Sequence, residues 1–284
     1  MITTPSSGTM GHDPASFRSA FIRLVRNRLQ YHWPGSFGFT SNGDLRAISA
    51  VLFLLGTGTD GTPQLILNRR SPNVRQAGDL CCPGGGISPK LDFFLAKWLN
   101  LPTTPLFRWP YRKWWHRHRS ADYDKLSILF TTALREGLEE MRLNPFGVTF
   151  LGPLPVQQLV VFHRAIYPLA VFVNRQQRFF PNWEVDRIIR IPLADLLCAR
   201  NYGRIVMSGE GIDRSPLRMS QREFPCFIHR DNDQKELLWG ATYRITENFL
   251  RTIFDFVPPD TDSLPIIHHR IGRHYLEGEP LSKN

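Results

Sequence analysis

Cysteine is scarce in this chain. Its 284 residues hold four, at positions 81, 82, 198 and 226, with neither a C-x-x-C pair nor the dense spacing of a small secreted domain. That pattern argues against a disulfide framework and predicts a reducing compartment. Long apolar runs are also missing. Nothing approaches the roughly 18 uninterrupted residues of a spanning helix, so an integral membrane protein is disfavoured and only peripheral contact stays open. The opening MITTPSSGTM has neither the basic nor the apolar region of a secretory signal. Acidic residues are in deficit, 25 against 35 Lys and Arg, and the resulting net charge of +10 favours phosphorylated small molecules, nucleic acid or an anionic membrane as partners. What is present, 42% hydrophobic and 21% charged residues, is the composition of an ordinary folded chain of one to two domains rather than of a disordered one.

Residues 1–44 read as a tail followed by an amphipathic helix. In SFRSAFIRLVRNRLQ (16–30), Arg-rich and free of acids, Phe17, Phe21, Leu24, Val25 and Leu29 repeat at helical spacing, so a basic surface helix is expected. A mitochondrial transit segment shares that composition, which makes the mitochondrial matrix the alternative to a cytoplasmic location. AISAVLFLL (47–55) has the pattern of a buried strand, and the glycine-dense GTGTDGTP (56–63) turns it into QLILNRR as a hairpin. Strand signals return at 148–152, 165–173 and 185–193, followed by a short helix at ADLLCAR and helical spacing over 241–257. Strands outnumber helices without regular βαβ alternation, so the fold class is α+β, an α/β/α sandwich with a mixed central sheet. The domain is expected over 45–258, with a C-terminal tail over 259–284.

A block at 93–120 stands apart as an insertion. It carries Phe93, Phe94, Trp98, Phe107, Trp109, Tyr111, Trp114 and Trp115, six Lys or Arg, and no acid. A packed excursion with outward cations, a substrate lid and an interfacial membrane foot all suit it. His116 and His118 are too few for a metal site and fit a solvated turn. Beyond the block, Asp122 or Asp124 is an N-cap for a helix reaching Leu143, stopped by Asn144-Pro145. Leu126, Phe130, Ala133, Leu134, Gly137, Leu138 and Met141 form its apolar face. Glu136, Glu139 and Glu140 fall within an arc of about 100° on another side. Like charges at that spacing repel, so solvent or divalent cations should offset them. Alone such a cluster is ordinarily a solvated face. Upstream, Pro83-Gly84-Gly85-Gly86 is a bend that lets backbone approach a ligand or metal closely. Arg135 could fix one of the carboxylates by a bidentate pair.

REGLEEMRL (135–143) behind PGGG resembles the Nudix box, Gly, five residues, Glu, seven residues, then R-E-U-x-E-E-x-G-U with U aliphatic. Arg135, Glu136, Glu139 and Glu140 match position by position, and the glycine matches at Gly85. The first U is Gly137, the box glycine is Arg142, and the block at 93–120 lengthens the interval. Five residues past Gly85 stands Leu91, with Asp92 one step later. LILNRRSPNVRQAGDLCCPGG, TALREGLEE, FPNWEVDRIIRIPLADLL and LLWGATYRITENFL are collinear with segments of the coenzyme A pyrophosphatase-like branch, although that branch's His and Gln before Pro-Gly-Gly are absent here. The resemblance implies a Nudix-like fold and a pyrophosphohydrolase dependent on Mg²⁺ or Mn²⁺. Its substrate would be a nucleoside diphosphate derivative such as coenzyme A or an acyl-CoA. Catalysis would fall to Glu136, Glu140 and Arg135, metal ligation to Glu136, Glu139, Glu140 and the Gly85 carbonyl, and phosphate binding to Arg70 and Arg75. Which Glu is base and which is ligand stays open, and so does a homodimer. Nucleic acid is not the expected partner of that reading. The competing one is a catalytically degenerate scaffold that binds anionic lipid or RNA through the aromatic and basic block.

Overall fold

The computed structural model describes residues 14–31, 37–38, 45–159, 164–208, 223–231, 234–270 and 275. Strand β1 (Ile48–Thr57) is the axis of the larger sheet. Along one edge it pairs in parallel with β7 (Arg164–Val173), from Ile48 opposite Ala165 to Leu55 opposite Phe172. Along the other it pairs antiparallel with β2 (Pro63–Arg70) at one end and β4 (Gly84–Gly86) at the other. The β1–β2 hairpin is the expected one. β3 (Leu80–Cys81) and β8 (Val185–Pro192) pair with β2, while β5 (Val148–Pro153) and β6 (Gln157–Leu159) pair with β7, so parallel and antiparallel pairs mix as the sequence predicts.

β1 is apolar throughout because both its faces are covered. Ala50, Leu52 and Leu54 pack with Leu126, Phe130, Ala133, Leu134 and Met141 of a helix on one side. Val51, Phe53 and Leu55 face Phe21, Val25 and Leu29 of α1 (Pro14–Tyr31) and Phe249, Leu250 and Ile253 of another helix on the opposite side. This is the expected sandwich. On α1, Phe17 and Leu24 are exposed, so its buried face is narrower than the sequence spacing suggests.

The chain between β4 and β5 is helical. α2 (Pro89–Trp98) starts at a proline, whose missing N–H suits the first turn. α3 (Arg112–His118) leads directly into α4 (Ser120–Met141). Asp122 and Asp124 therefore lie inside the helix rather than capping it, Asp122 being salt-bridged to Arg119 at 2.7 Å. The helix ends before Leu143, and Leu138 is exposed instead of core. The block is a packed excursion in part: Trp109 and Trp115 are buried against Phe150 and Phe37, whereas Phe94, Trp98 and Trp114 face solvent.

After the short α5 (Leu193–Leu196), a second sheet orders β11 (Gln234–Trp239), β10 (Glu223–Asp231), β9 (Tyr202–Ser208) and β12 (Ile266–Arg270), with α6 (Gly240–Phe254) following β11. Within the 259–284 stretch, β12 pairs in parallel with β9, from Ile266 opposite Arg204 to Arg270 opposite Ser208. Farther on, Tyr275 is buried and its hydroxyl donates to Asp79. No described helix is long and apolar enough to cross a membrane.

Candidate active site

The glycine bend and the carboxylate helix meet. Gly84, at φ 149°, pairs with Val51, and a Cβ there would stand 2.4 Å from the Ala50 carbonyl oxygen, so only glycine lets the bend lie against β1. Its amide donates to Glu140 Oε2 at 3.2 Å. At Gly85 a Cβ would sit 2.5 Å from the Glu136 carboxyl carbon, which shows how closely Glu136 is stacked on this backbone.

Arg135 is the hub of the arrangement. Its Nε donates to Asp92 Oδ1 at 2.8 Å and its Nη2 to Asp92 Oδ2 at 3.2 Å and to the Gly86 carbonyl at 3.2 Å. Nη1 contacts Glu136 Oε1 at 3.0 Å and Glu139 Oε2 at 3.1 Å. Asp92 is fully buried, and it also accepts the Ser88 amide at 2.7 Å and the Thr132 hydroxyl at 2.8 Å. The acid that holds Arg135 is thus Asp92, one position beyond the exposed Leu91, and α2 carries it across the insertion to α4. Counted from Gly86 rather than Gly85, Asp92 stands after five intervening residues. Burial disfavours the Arg135 charge, but the hydrogen bond to Asp92 and the carboxylates of Glu136, Asp92 and Glu139 outweigh it and push its pKa up.

On the other side of the helix end lies Glu140. Its Oε2 accepts Asn68 Nδ2 at 2.8 Å as well as the Gly84 amide. Burial, reinforced by the charges of Glu136 and Glu184, raises its pKa to about 8, against the opposing pull of the Gly84 amide and Arg70. Burial also raises Glu136, which Arg135 counteracts. Glu184 reaches the site because the last turn of α4 leaves carbonyls to be satisfied: the Phe180 amide donates to the Met141 carbonyl at 3.0 Å and the Asn182 amide to the Glu140 carbonyl at 2.8 Å. Asn68, Arg70, Val74, Cys81, Glu140, Glu184 and Val185 line one open cleft.

Of the three box carboxylates, Glu136 and Glu139 share Arg135 Nη1, while Glu140 accepts from Asn68 and the Gly84 amide. Glu139, 53% exposed in its side chain, turns to Arg135, and no three His, Cys, Asp or Glu among the described residues make a preformed metal cluster. The donors nevertheless fit a hard divalent cation: burial and then the charges of Glu136 and Glu184 raise the Glu140 carboxyl, and the fully buried Asn68 has an Oδ1 without a hydrogen-bond partner. Arg70 lies in the cleft, its Nε spent on the Arg75 carbonyl at 2.6 Å, whereas the Arg75 side chain is exposed on the turn. Cys81 and Cys82 are raised by burial, Cys81 to about 12, which makes them inert packing residues. Asn68 and Glu184 were the residues without a sequence assignment. The signals were a polar residue inside the apolar strand LILNRR and the Glu of NWEV.

No family model matches this chain. A curated protein of Pectobacterium atrosepticum, "Uncharacterized Nudix hydrolase NudL", is 26% identical over 196 residues, which span 68% of this chain and 77% of that protein. Among solved structures, a MutT/nudix family protein from Enterococcus faecalis covers 88% of this chain and 76% of its own at 10% identity and a TM-score of 0.37. A NUDIX hydrolase from Alicyclobacillus acidocaldarius covers 55% and 82%, at 17% identity and a TM-score of 0.36. The similarity to the curated relative supports the Nudix family, and the mixed sheet with helices on both faces is consistent with an α+β Nudix-like fold.

Proposed function

We infer that this chain is a hydrolase of the Nudix type acting on a phosphoric anhydride bond, and we propose that it is a cation-dependent pyrophosphohydrolase of nucleoside diphosphate derivatives. The observation that carries this reading is the joined box: Arg135 clamped by buried Asp92 and by Glu136, with Glu140 seated on the amide of Gly84. The collinear segments favour coenzyme A or an acyl-CoA as the substrate.

Glu136 and Glu140 would hold Mg²⁺ or Mn²⁺, with Glu139 at the exposed edge of the set, the Gly85 carbonyl as a neutral donor, and Glu184 across the cleft. When bound, the cation neutralises diphosphate charge and lowers the pKa of a coordinated water. The chain's own part is positioning. Asp92 fixes the Arg135 guanidinium, which fixes the Glu136 carboxylate against the bend. Asn68 and Gly84 occupy Glu140 Oε2, so Oε1 is the oxygen left to carry or give up a proton. Arg70, in the cleft, would turn its guanidinium to a phosphate oxygen, and Glu184 is the base candidate outside the box.

The test is a panel of diphosphates, including coenzyme A and ADP-ribose, incubated with the full chain and Mg²⁺ or Mn²⁺ and scored by mass for paired phosphomonoesters. Glu140→Gln should fold and lose about a hundredfold or more of the turnover. Undiminished turnover in that variant would overturn the assignment.

A further inference from the structure

We propose that the outer face of α2 is a docking surface for an anionic lipid bilayer, so that the chain works as a peripheral membrane protein. At 3.6 residues per turn, Leu91, Phe94 and Trp98 lie within an arc of about 60°. All three are exposed, Phe94 at 56% and Trp98 at 57%, and Leu101 just beyond the helix continues the patch. The inner residues Asp92 and Ala96 lie roughly 150° around the helix, buried against α4. The apolar stripe is therefore surplus to folding: the helix already buries a second face.

Charge selects the occupant. Lys90 and Lys97, both exposed, border the stripe on its Phe94 side, and neither has a carboxylate partner among the described residues. Residues 93–120 contain no acid at all. Aromatic and aliphatic side chains rimmed by unpaired cations are suited to the headgroup boundary, where ring and stem enter the acyl region and the charge stays with phosphate. A single-stranded nucleic acid would favour flat stacking faces, whereas Leu91 and Leu101 offer no stacking. The helix that would meet the bilayer is the one whose buried side holds Arg135 through Asp92, so docking would set the orientation of the site without contacting it.

The experiment is co-sedimentation of the full chain with phosphatidylcholine vesicles and with vesicles containing 30% phosphatidylserine, alongside fluorescence anisotropy with a single-stranded RNA. We expect binding to the anionic vesicles that weakens with salt, with a blue shift of tryptophan emission. The double variant Phe94→Asn/Trp98→Asn should bind them at least about tenfold more weakly. Lys90→Gln/Lys97→Gln should lose about fivefold per charge. Both variants should keep the melting temperature and diphosphate turnover of the parent, which separates this result from a failure of the hydrolase reading. Vesicle binding that survives the aromatic variant, binding to neither vesicle, or RNA binding alone would overturn the proposal.

Discussion

Gly85 carries the most local of the claims. Its missing side chain leaves the space that the Glu136 carboxylate fills, since a Cβ would come within 2.5 Å of the carboxyl carbon. The clash is with the flexible end of a side chain, so Gly85→Ala should fold with a stability change of no more than about 1 kcal/mol. Activity should fall at least about tenfold as Glu136 is displaced. Thermal melting and turnover on the same sample check both halves, and an alanine variant with parental activity would remove Glu136 from the site. The role of glycine here could be read from three in a row before a carboxylate helix. Asn68 could not, because an isolated Asn in a strand gives no periodic signal and its partner Glu140 is distant in sequence. The Glu139 contact was hidden for a different reason: helical spacing fixes the direction of a side chain, but not that the Arg135 guanidinium pairs with it.

At the scale of elements, α4 ends on an unusual residue. Arg142 has φ 55° and ψ 37°, left-handed backbone at the position where the resembled box has glycine, and its amide donates to Leu138 and Gly137 carbonyls. A non-glycine residue there is strained. Arg142→Gly should therefore stabilise the protein by about 0.5–1 kcal/mol, read as an upward shift in the denaturant midpoint; a downward shift would show that the arginine side chain outweighs its backbone strain. The long apolar β1 and the amphipathic α4 were legible because each is periodic over many residues. The start of α2 was not, since the aromatic density of 93–120 drew the boundary after Asp92; the sequence placed Asp92 one step past the expected acid, and its contact with Arg135 is what the fold adds. That density also conceals two environments: Trp109 and Trp115 serve the core, while Phe94, Trp98 and Trp114 do not.

At the scale of the molecule, the second sheet is locked to the first through Asp79. Its carboxylate accepts Trp239 Nε1 at 3.1 Å and the Tyr275 hydroxyl at 2.5 Å, and burial raises its pKa to about 6 in spite of those bonds. The folded state thus binds this proton more tightly than the unfolded chain, whose aspartate titrates near 3.9. The contribution is fully present below that value and is lost as pH rises through about 6. Melting temperatures at pH 5 and pH 7.5 should show a larger fall in the parent than in Asp79→Asn; equal falls would mean that Asp79 is not the titrating group. This part of the architecture was hidden from sequence because β12 pairs in parallel with β9 across a long separation, and no local pattern records such a partner.

The proposed chemistry depends on Glu140, together with the Arg135-paired Glu136, accepting a divalent cation. Titration of the full chain with Mn²⁺, followed by the loss of free-ion paramagnetic resonance signal, tests that directly. Saturable binding in the parent, weakened at least about tenfold in Glu140→Gln with an unchanged fold, is the predicted result. No saturable binding, or equal affinity in parent and variant, would contradict it.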